Sequence, residues 1–282
     1  MMADTDFPLP APPEIVEAMG ALGLEFHEIT IKNEPMKFSL CHYTNFEGLN
    51  GILKHHSLWA TYSRTLNDGT EQLHGQRVVN AFMKAHLKRD VDEDYLHQVV
   101  KPTRLFVTSF CEEPDILSMW KSYAGFGGGY CLEFQSSRLL ELCHKSAPKQ
   151  LVRVAYEKTL NGPIADFMRK VCDSIAWPYS SLYAHMTALK IKHGAFHEEA
   201  EWRIIVPDPH PDTIAYRPGH ANIKPYTELR MSDQGRLPLI RIIYGPTLRQ
   251  DAALRDSIDL MLETYGYSGI RVDPCNIPFQ MS

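Results

Sequence analysis

The sequence has no two cysteines spaced as a CxxC pair: its six cysteines, Cys41, Cys111, Cys131, Cys143, Cys172 and Cys275, are scattered. That spacing excludes a sequence-local zinc knuckle and a dithiol redox motif, and dispersed thiols suit a reducing compartment. No run approaches the roughly 18 uncharged apolar residues of a membrane span. The opening MMADTDFPLPAPPE has neither a basic region nor an apolar one, so no secretory signal is expected. Positive charge is not in excess either. Lys plus Arg total 29 against 34 Asp plus Glu, a formal net charge of -5. This argues against coating nucleic acid by bulk charge and leaves room for a local basic groove. Internal repeats and long low-complexity linkers are missing. With 44% apolar and 22% charged residues in a chain of 282, the composition is that of a soluble globular protein with a sizeable core.

Several catalytic signatures are missing as well. There is no GxxxxGK[ST], no GxGxxG after a first strand, no GxSxG and no HExxH. Gly125-Phe-Gly-Gly-Gly129 therefore reads as a turn into a strand and not as a phosphate loop. His193 and His197 would share a helical face four residues apart, but Gly194 weakens that helix, and no metal is expected. His55-His56 reads as a solvated helix end. Lys84, His86, Lys88 and Arg89 read as a solvated helix face.

The pattern that is present is mixed. Residues 1–35 hold prolines at 8, 10, 12 and 13 and read as a lead-in with a short helix from Glu14 to Leu24; residues 36–282 read as one domain. Phe38 to Tyr43 alternates as a strand. Thr44 or Asn45 then caps a helix, with Glu47 completing a capping box to Thr44 and Phe46, Leu49, Ile52 and Leu53 on its apolar face. Leu58 to Thr61 is a strand, and Gly69 to Lys88 an amphipathic helix. Arg104 to Phe110 and Gly129 to Phe134 are strands around a short helix capped by Asp115 and carrying Leu117, Trp120 and Tyr123. Val152 to Tyr156 is a strand; helices follow at Ile164 to Ala176 and Ser180 to Ile191. Glu199 to Val206 and Leu239 to Tyr244 are strands, then a helix runs from Asp251 to Tyr265 and a strand closes the chain near Ile270. Strands and helices without regular βαβ alternation predict an α+β fold.

Three sets of residues invite chemistry. Glu199 and Glu201, two apart on a strand, would face the same way, repel each other and raise the pKa of one of them. Such a pair can bind sugar hydroxyls or stabilise a cationic sugar transition state, and charged alternation on a solvent face is the structural alternative. His42 lies just before a helix N-terminus, whose free N–H groups suit a polar ligand. Asn67, Asp68 and Glu71 read first as a turn and helix cap.

Together these residues resemble a known family. Leu40-Cys-His-Tyr-Thr44 with Gly51-Ile-Leu53, Leu58-Trp-Ala-Thr61, Leu66-Asn-Asp68 with Glu71, and Val107-Thr-Ser-Phe-Cys-Glu-Glu113 are similar to the DUF2971 family of uncharacterised, mainly bacterial proteins. So are Leu117-Ser-Met-Trp120 with Tyr123, the glycine run, Phe196 with Glu199-Ala-Glu-Trp-Arg203, Ile243-Tyr-Gly-Pro246 and Ile277-Pro-Phe279. A more distant resemblance is to the ADP-ribosyltransferase superfamily of the His-Tyr-Glu type. His42-Tyr-Thr44 with Ile52-Leu53 and Leu58 is similar to its opening strand and helix, with Tyr43 where a glycine is frequent. Val107 to Phe110, Ser118 to Tyr123 and Tyr130 to Phe134 resemble its nicotinamide-holding block, where Thr108-Ser109 stands in place of a full STS triplet. Glu199-Ala-Glu201 resembles its late ExE element.

That resemblance implies a split β-sheet core with helical insertions and NAD as substrate, with no metal. It puts His42 on the adenosine-side ribose, Tyr123 or Trp120 on the nicotinamide ring, and Glu201 or Glu199 as the essential carboxylate, with Tyr43, Thr44, Ser109 and Arg203 also lining the NAD site. Asn67, Asp68 and Glu71 become candidate acceptor or ribose contacts. The activity implied is ADP-ribosyl transfer to a protein or nucleic-acid acceptor by a toxin, effector or phage-defence enzyme, without a membrane partner and with room for a cognate inhibitor or antitoxin. The expected location is the bacterial cytoplasm, or a target cell reached without a cleaved signal. The alternatives are an NAD glycohydrolase or nucleotide phosphate-transferring relative of the same fold, and a non-enzymatic module that binds a nucleotide or a protein.

Overall fold

The computed structural model describes residues 17, 18, 21, 37–66, 69–87, 104–144, 149–174, 180–219, 223–231, 235–248 and 251–278. The strands are β1 (Ser39–Thr44), β2 (Leu58–Tyr62), β3 (Leu105–Cys111), β4 (Tyr130–Gln135), β5 (Gln150–Arg153), β6 (Glu201–Pro207), β7 (Ile214–Pro218), β8 (Ile223–Leu229), β9 (Leu239–Tyr244) and β10 (Arg271–Pro274). The helices are α1 (Phe46–His55), α2 (Gly69–Leu87), α3 (Leu117–Tyr123), α4 (Ser136–His144), α5 (Gly162–Ser174), α6 (Ser180–Leu189) and α7 (Leu254–Thr264). The lead-in and the helix read at Glu14 to Leu24 fall almost wholly outside the described residues, as do Asn67, Asp68 and the side chain of Glu71.

All ten strands join one sheet, antiparallel except for the parallel pair β9 and β10. The class is α+β, as expected. The sheet divides at β3. One edge of β3 is paired to β6 along its whole length, from Leu105 opposite Pro207 to Cys111 opposite Glu201. The other edge is shared: β2 pairs at Phe106 and Val107, and β1 only at Cys111. One arm of the sheet then continues through β1, β4, β9 and β10, and the other through β2, β8 and β7. Residues 108–110 of β3 face the fork between the arms.

Two cores hold this arrangement. Alternation along β3 and β6 sends Phe106, Phe110, Trp202 and Ile204 to one core, packed with Leu49 and Leu53 of α1, Leu139 of α4, and Ile258 and Leu262 of α7. Leu105, Val107, Val152 and Ile205 go to the other, with Val78 and Val79 of α2, Phe167 of α5 and Leu189 of α6. Every residue of β6 is buried, so its charged alternation marks no solvent face. Each large apolar side chain so buried contributes about 1.5–3 kcal/mol relative to exposure. A smaller cluster gathers Cys41, Tyr43, Cys111, Cys131 and Trp120.

Local expectations are settled in four places. Asn45, not Thr44, caps α1: its Oδ1 accepts from Gly48 N at 2.9 Å while Thr44 stays in β1. Phe46, at the first position of α1, is 50% exposed instead of joining the apolar face. Asp115 does not cap α3, whose N-cap is Ile116; its Oδ2 accepts from Asn276 N at 2.9 Å. His193 and His197 are not on an α-helix. They flank and join a 3-10 helix, Gly194–Glu199, in which His193 Nδ1 accepts from Ala195 N.

Candidate functional site

A cleft of about 700 Å³ opens at the fork, lined by residues from both arms and from β3 and β6. Its walls include His42, Thr44, Trp59, Thr61, Ser109, Tyr123, Glu199, Glu201, Arg203, Arg217 and Lys224.

His42 stands on β1 and reaches across the fork. Its Nδ1 lies 2.9 Å from Ser109 O, and its ring is 5.8 Å from that of Phe110. A carbonyl oxygen can only accept, so Nδ1 carries the proton and Nε2 is the acceptor. Burial lowers the pKa of His42, the Ser109 carbonyl opposes that, and the nearby Arg217 charge lowers it further. The imidazole is therefore neutral near pH 7.

Glu201 opens β6 and is 4% exposed. Arg203 donates to it at two points, Nε to Oε1 at 2.7 Å and Nη2 to Oε2 at 2.8 Å. Lys192 Nζ donates to Glu201 Oε2 at 3.2 Å and to Glu199 Oε2 at 2.6 Å. The Ser109 hydroxyl bonds to the same Glu201 carboxylate. Burial pushes this carboxyl up, but Arg203, Lys192 and Ser109 outweigh it and hold it down at about 2. The expectation of a raised pKa in the pair is thus corrected for Glu201: two buried cations neutralise the two carboxylates. Arg203 also donates from Nη1 to Leu189 O at 2.8 Å, satisfying a carbonyl at the C-terminus of α6. The hydroxyl of Tyr156 accepts from Glu201 N at 2.8 Å and fixes the start of β6.

Glu199 is not on the strand. It ends the 3-10 helix, and Ala200 between the carboxylates has a left-handed φ of 40°. Few non-glycine residues adopt that conformation, and it stores strain. Lys192, not strand periodicity, brings the two carboxylates together.

The remaining candidates divide. Tyr123, at the end of α3, lines the cleft and is 39% exposed. Trp120 is 0% exposed and sits edge-on to Tyr43 with ring centroids 4.9 Å apart, so the stacking role considered for it is corrected: it is core. Tyr43 is buried in the same cluster, and its hydroxyl accepts from Ile116 N at 3.1 Å, which seats α3 on β1. Thr44 lines the cleft, and its Oγ1 occupies the place that a side chain at Gly48 would take.

Sequence reasoning missed Lys192, Arg217 and Lys224. The Lys190-Ile-Lys192 run, shortly upstream of the acidic pair, was the available sign for Lys192. Arg217 and Lys224 lie on the β7–β8 hairpin, which Pro218 and Pro225 conceal, because proline weakens a strand pattern. Among the described residues, no group of three or more His, Cys, Asp or Glu is placed to hold a metal ion, and no helix is long and apolar enough to cross a membrane.

Residues 119–204 match the DUF2971 family, described as a protein of unknown function. The matched segment runs from within α3 to the middle of β6 and contains Tyr123, Lys192, Glu199, Glu201 and Arg203, so the family resemblance read from the sequence holds there. No curated protein and no solved structure matches the chain.

Proposed function

We propose that the protein is an NAD-consuming ADP-ribosyltransferase that binds NAD between the two arms of an ADP-ribosyltransferase-like split sheet. The observation that carries this reading is convergence: His42, Ser109, Tyr123 and Glu201, from four separate segments, line one cleft. A volume of about 700 Å³ falls in the range of small-molecule sites. In this reading Tyr123 stacks on the nicotinamide ring. His42 Nε2 accepts a hydrogen bond from a hydroxyl of the adenosine-side ribose. Glu201 binds the 2′-hydroxyl of the other ribose and stabilises the positive charge that grows as nicotinamide leaves. The bond from C1′ to the nicotinamide nitrogen breaks, and its electron pair departs with nicotinamide. The acceptor then bonds to C1′ and passes its proton to Glu199. Glu201 already receives Arg203, Lys192 and Ser109, so a ribose hydroxyl takes the place of one donor. The Ser109 hydroxyl, which can rotate, yields at least cost.

That saturation also favours a second reading, a nucleotide-binding module without turnover, in which the charged cluster only shapes the cleft. Labelled NAD with purified protein and a lysate containing protein and nucleic acid separates the two. Nicotinamide release with label on a macromolecule supports the transferase and names its acceptor class. Release with free ADP-ribose supports the glycohydrolase variant. Release no greater than with Glu201→Gln overturns NAD chemistry and leaves the binding module.

A further inference from the structure

Arg217 and Lys224 are Cα partners across the antiparallel β7–β8 pair, and both line the cleft on the arm opposite α3. Side chains directly opposite on such a pair share a face, and like charges there destabilise the sheet. The cost is visible in the surroundings. Arg217 forms no salt bridge among the described residues. Its Nη2 donates to Thr61 Oγ1 at 3.0 Å, its guanidinium lies 5.4 Å over the Trp59 ring, and its buried Nε has no hydrogen-bond partner. Burial lowers the pKa of both groups, and Arg217 lowers that of Lys224 further. The Arg217 charge reaches His42 as well. In a chain of net charge -5, two partly desolvated cations are held side by side on the wall of a cleft that also holds the Glu47 carboxylate and the mutually paired Glu199, Glu201, Lys192 and Arg203.

We infer that Arg217 and Lys224 form a phosphate subsite that binds the diphosphate of a nucleotide lying between the arms. A guanidinium fork held over an indole presents its donors in one plane, and phosphate oxygens accept from such a fork at two points. The ammonium adds a second charge without fixed geometry. A dianionic diphosphate relieves the repulsion between the two cations, so the cost of holding them apart from water is recovered on binding. The inference rests on the reading of the cleft as a nucleotide site and adds to it the selection of diphosphates over uncharged nucleosides.

The test is calorimetric titration of the full chain with ADP and with adenosine, for the parent, Arg217→Gln and Lys224→Gln. Because Arg217 packs on Trp59, the half-buried Lys224 supplies the variant less prone to misfolding, and thermal unfolding is followed for both. ADP is expected to bind at least tenfold more tightly than adenosine at low salt. Each variant is expected to weaken ADP about tenfold and to leave adenosine within twofold. The subsite is overturned if ADP fails to bind, if it binds no better than adenosine, or if both folded variants bind it as the parent does. Nicotinamide release is read separately. The expected ADP pattern without release supports the subsite and sinks the transferase reading. Release with unchanged KM for NAD in both variants overturns the subsite and keeps that reading.

Discussion

Glu201 and Arg203, two residues apart on β6, hold each other at two points, with Arg203 Nε and Nη2 donating to the two carboxylate oxygens at 2.7 and 2.8 Å. Buried pairs of this kind contribute little net stability when intact and cost much when half is removed. Glu201→Gln leaves Arg203 and Lys192 buried with one carboxylate fewer. We expect it to lower the free energy of unfolding by ~3 kcal/mol, read from urea midpoints. Activity of this variant must therefore be read on protein shown to be folded at the assay temperature.

The same carboxylate sets an acid limit. Its folded pKa of about 2 lies below the ordinary 4.5, so its contribution is fully present above pH 4.5 and disappears as pH falls towards 2. Linkage over that interval amounts to ~3 kcal/mol. Urea unfolding at pH 7, 4 and 2.5 should show the parent losing its advantage over Glu201→Gln across this window. A difference that stays constant from pH 7 to 2.5 would show that the ion pair does not stabilise the native state.

Lys192 bridges two acids. In Lys192→Met the carboxylates of Glu199 and Glu201 share a buried corner without their common cation. One of them then gains a pKa above its unfolded value, and its neutral form is favoured in the native state. A raised folded pKa contributes stability at low pH that is lost as pH rises. The variant is therefore expected to recover stability relative to the parent between pH 7 and pH 5. Thermal midpoints at the two pH values check this.

Trp120 and Tyr123 share α3 and face different surroundings. Trp120→Ala should cost ~3–5 kcal/mol, as removal of a buried indole does. Tyr123→Ala, at a position 39% exposed, should cost less than ~1 kcal/mol and weaken NAD about tenfold. Calorimetry with NAD and urea unfolding on both variants separate a core residue from a ligand contact.

Much of this architecture is legible because it is local. The cap and apolar face at Asn45 to Leu53 and the runs at β3 and β9 follow from periodicity within a few residues. His42, Tyr123 and Glu201 are legible as candidates by their order along the chain. What is not legible depends on partners distant in sequence. Pro225 sits inside β8 and Pro218 ends β7, so the hairpin bearing Arg217 and Lys224 leaves only a broken strand pattern. The left-handed turn at Ala200 removes Glu199 from the strand, and an alanine gives no warning of it. Trp120 and Tyr123 are three apart on one short helix, and only the packing of Tyr43 against Trp120 tells which of them is core.

At the fork, a side chain does what a backbone amide does elsewhere in the sheet: His42 donates to Ser109 O at 2.9 Å, beyond the single point at which β1 pairs with β3. The neutral imidazole has one N–H, and the sheet uses it. The rung that holds the two strands together thereby decides which nitrogen a ligand meets, so cohesion and recognition depend on one hydrogen atom. Protonating the ring would keep the rung and turn the acceptor into a donor. A side chain at position 42 that can only accept would meet the ligand and lose the rung.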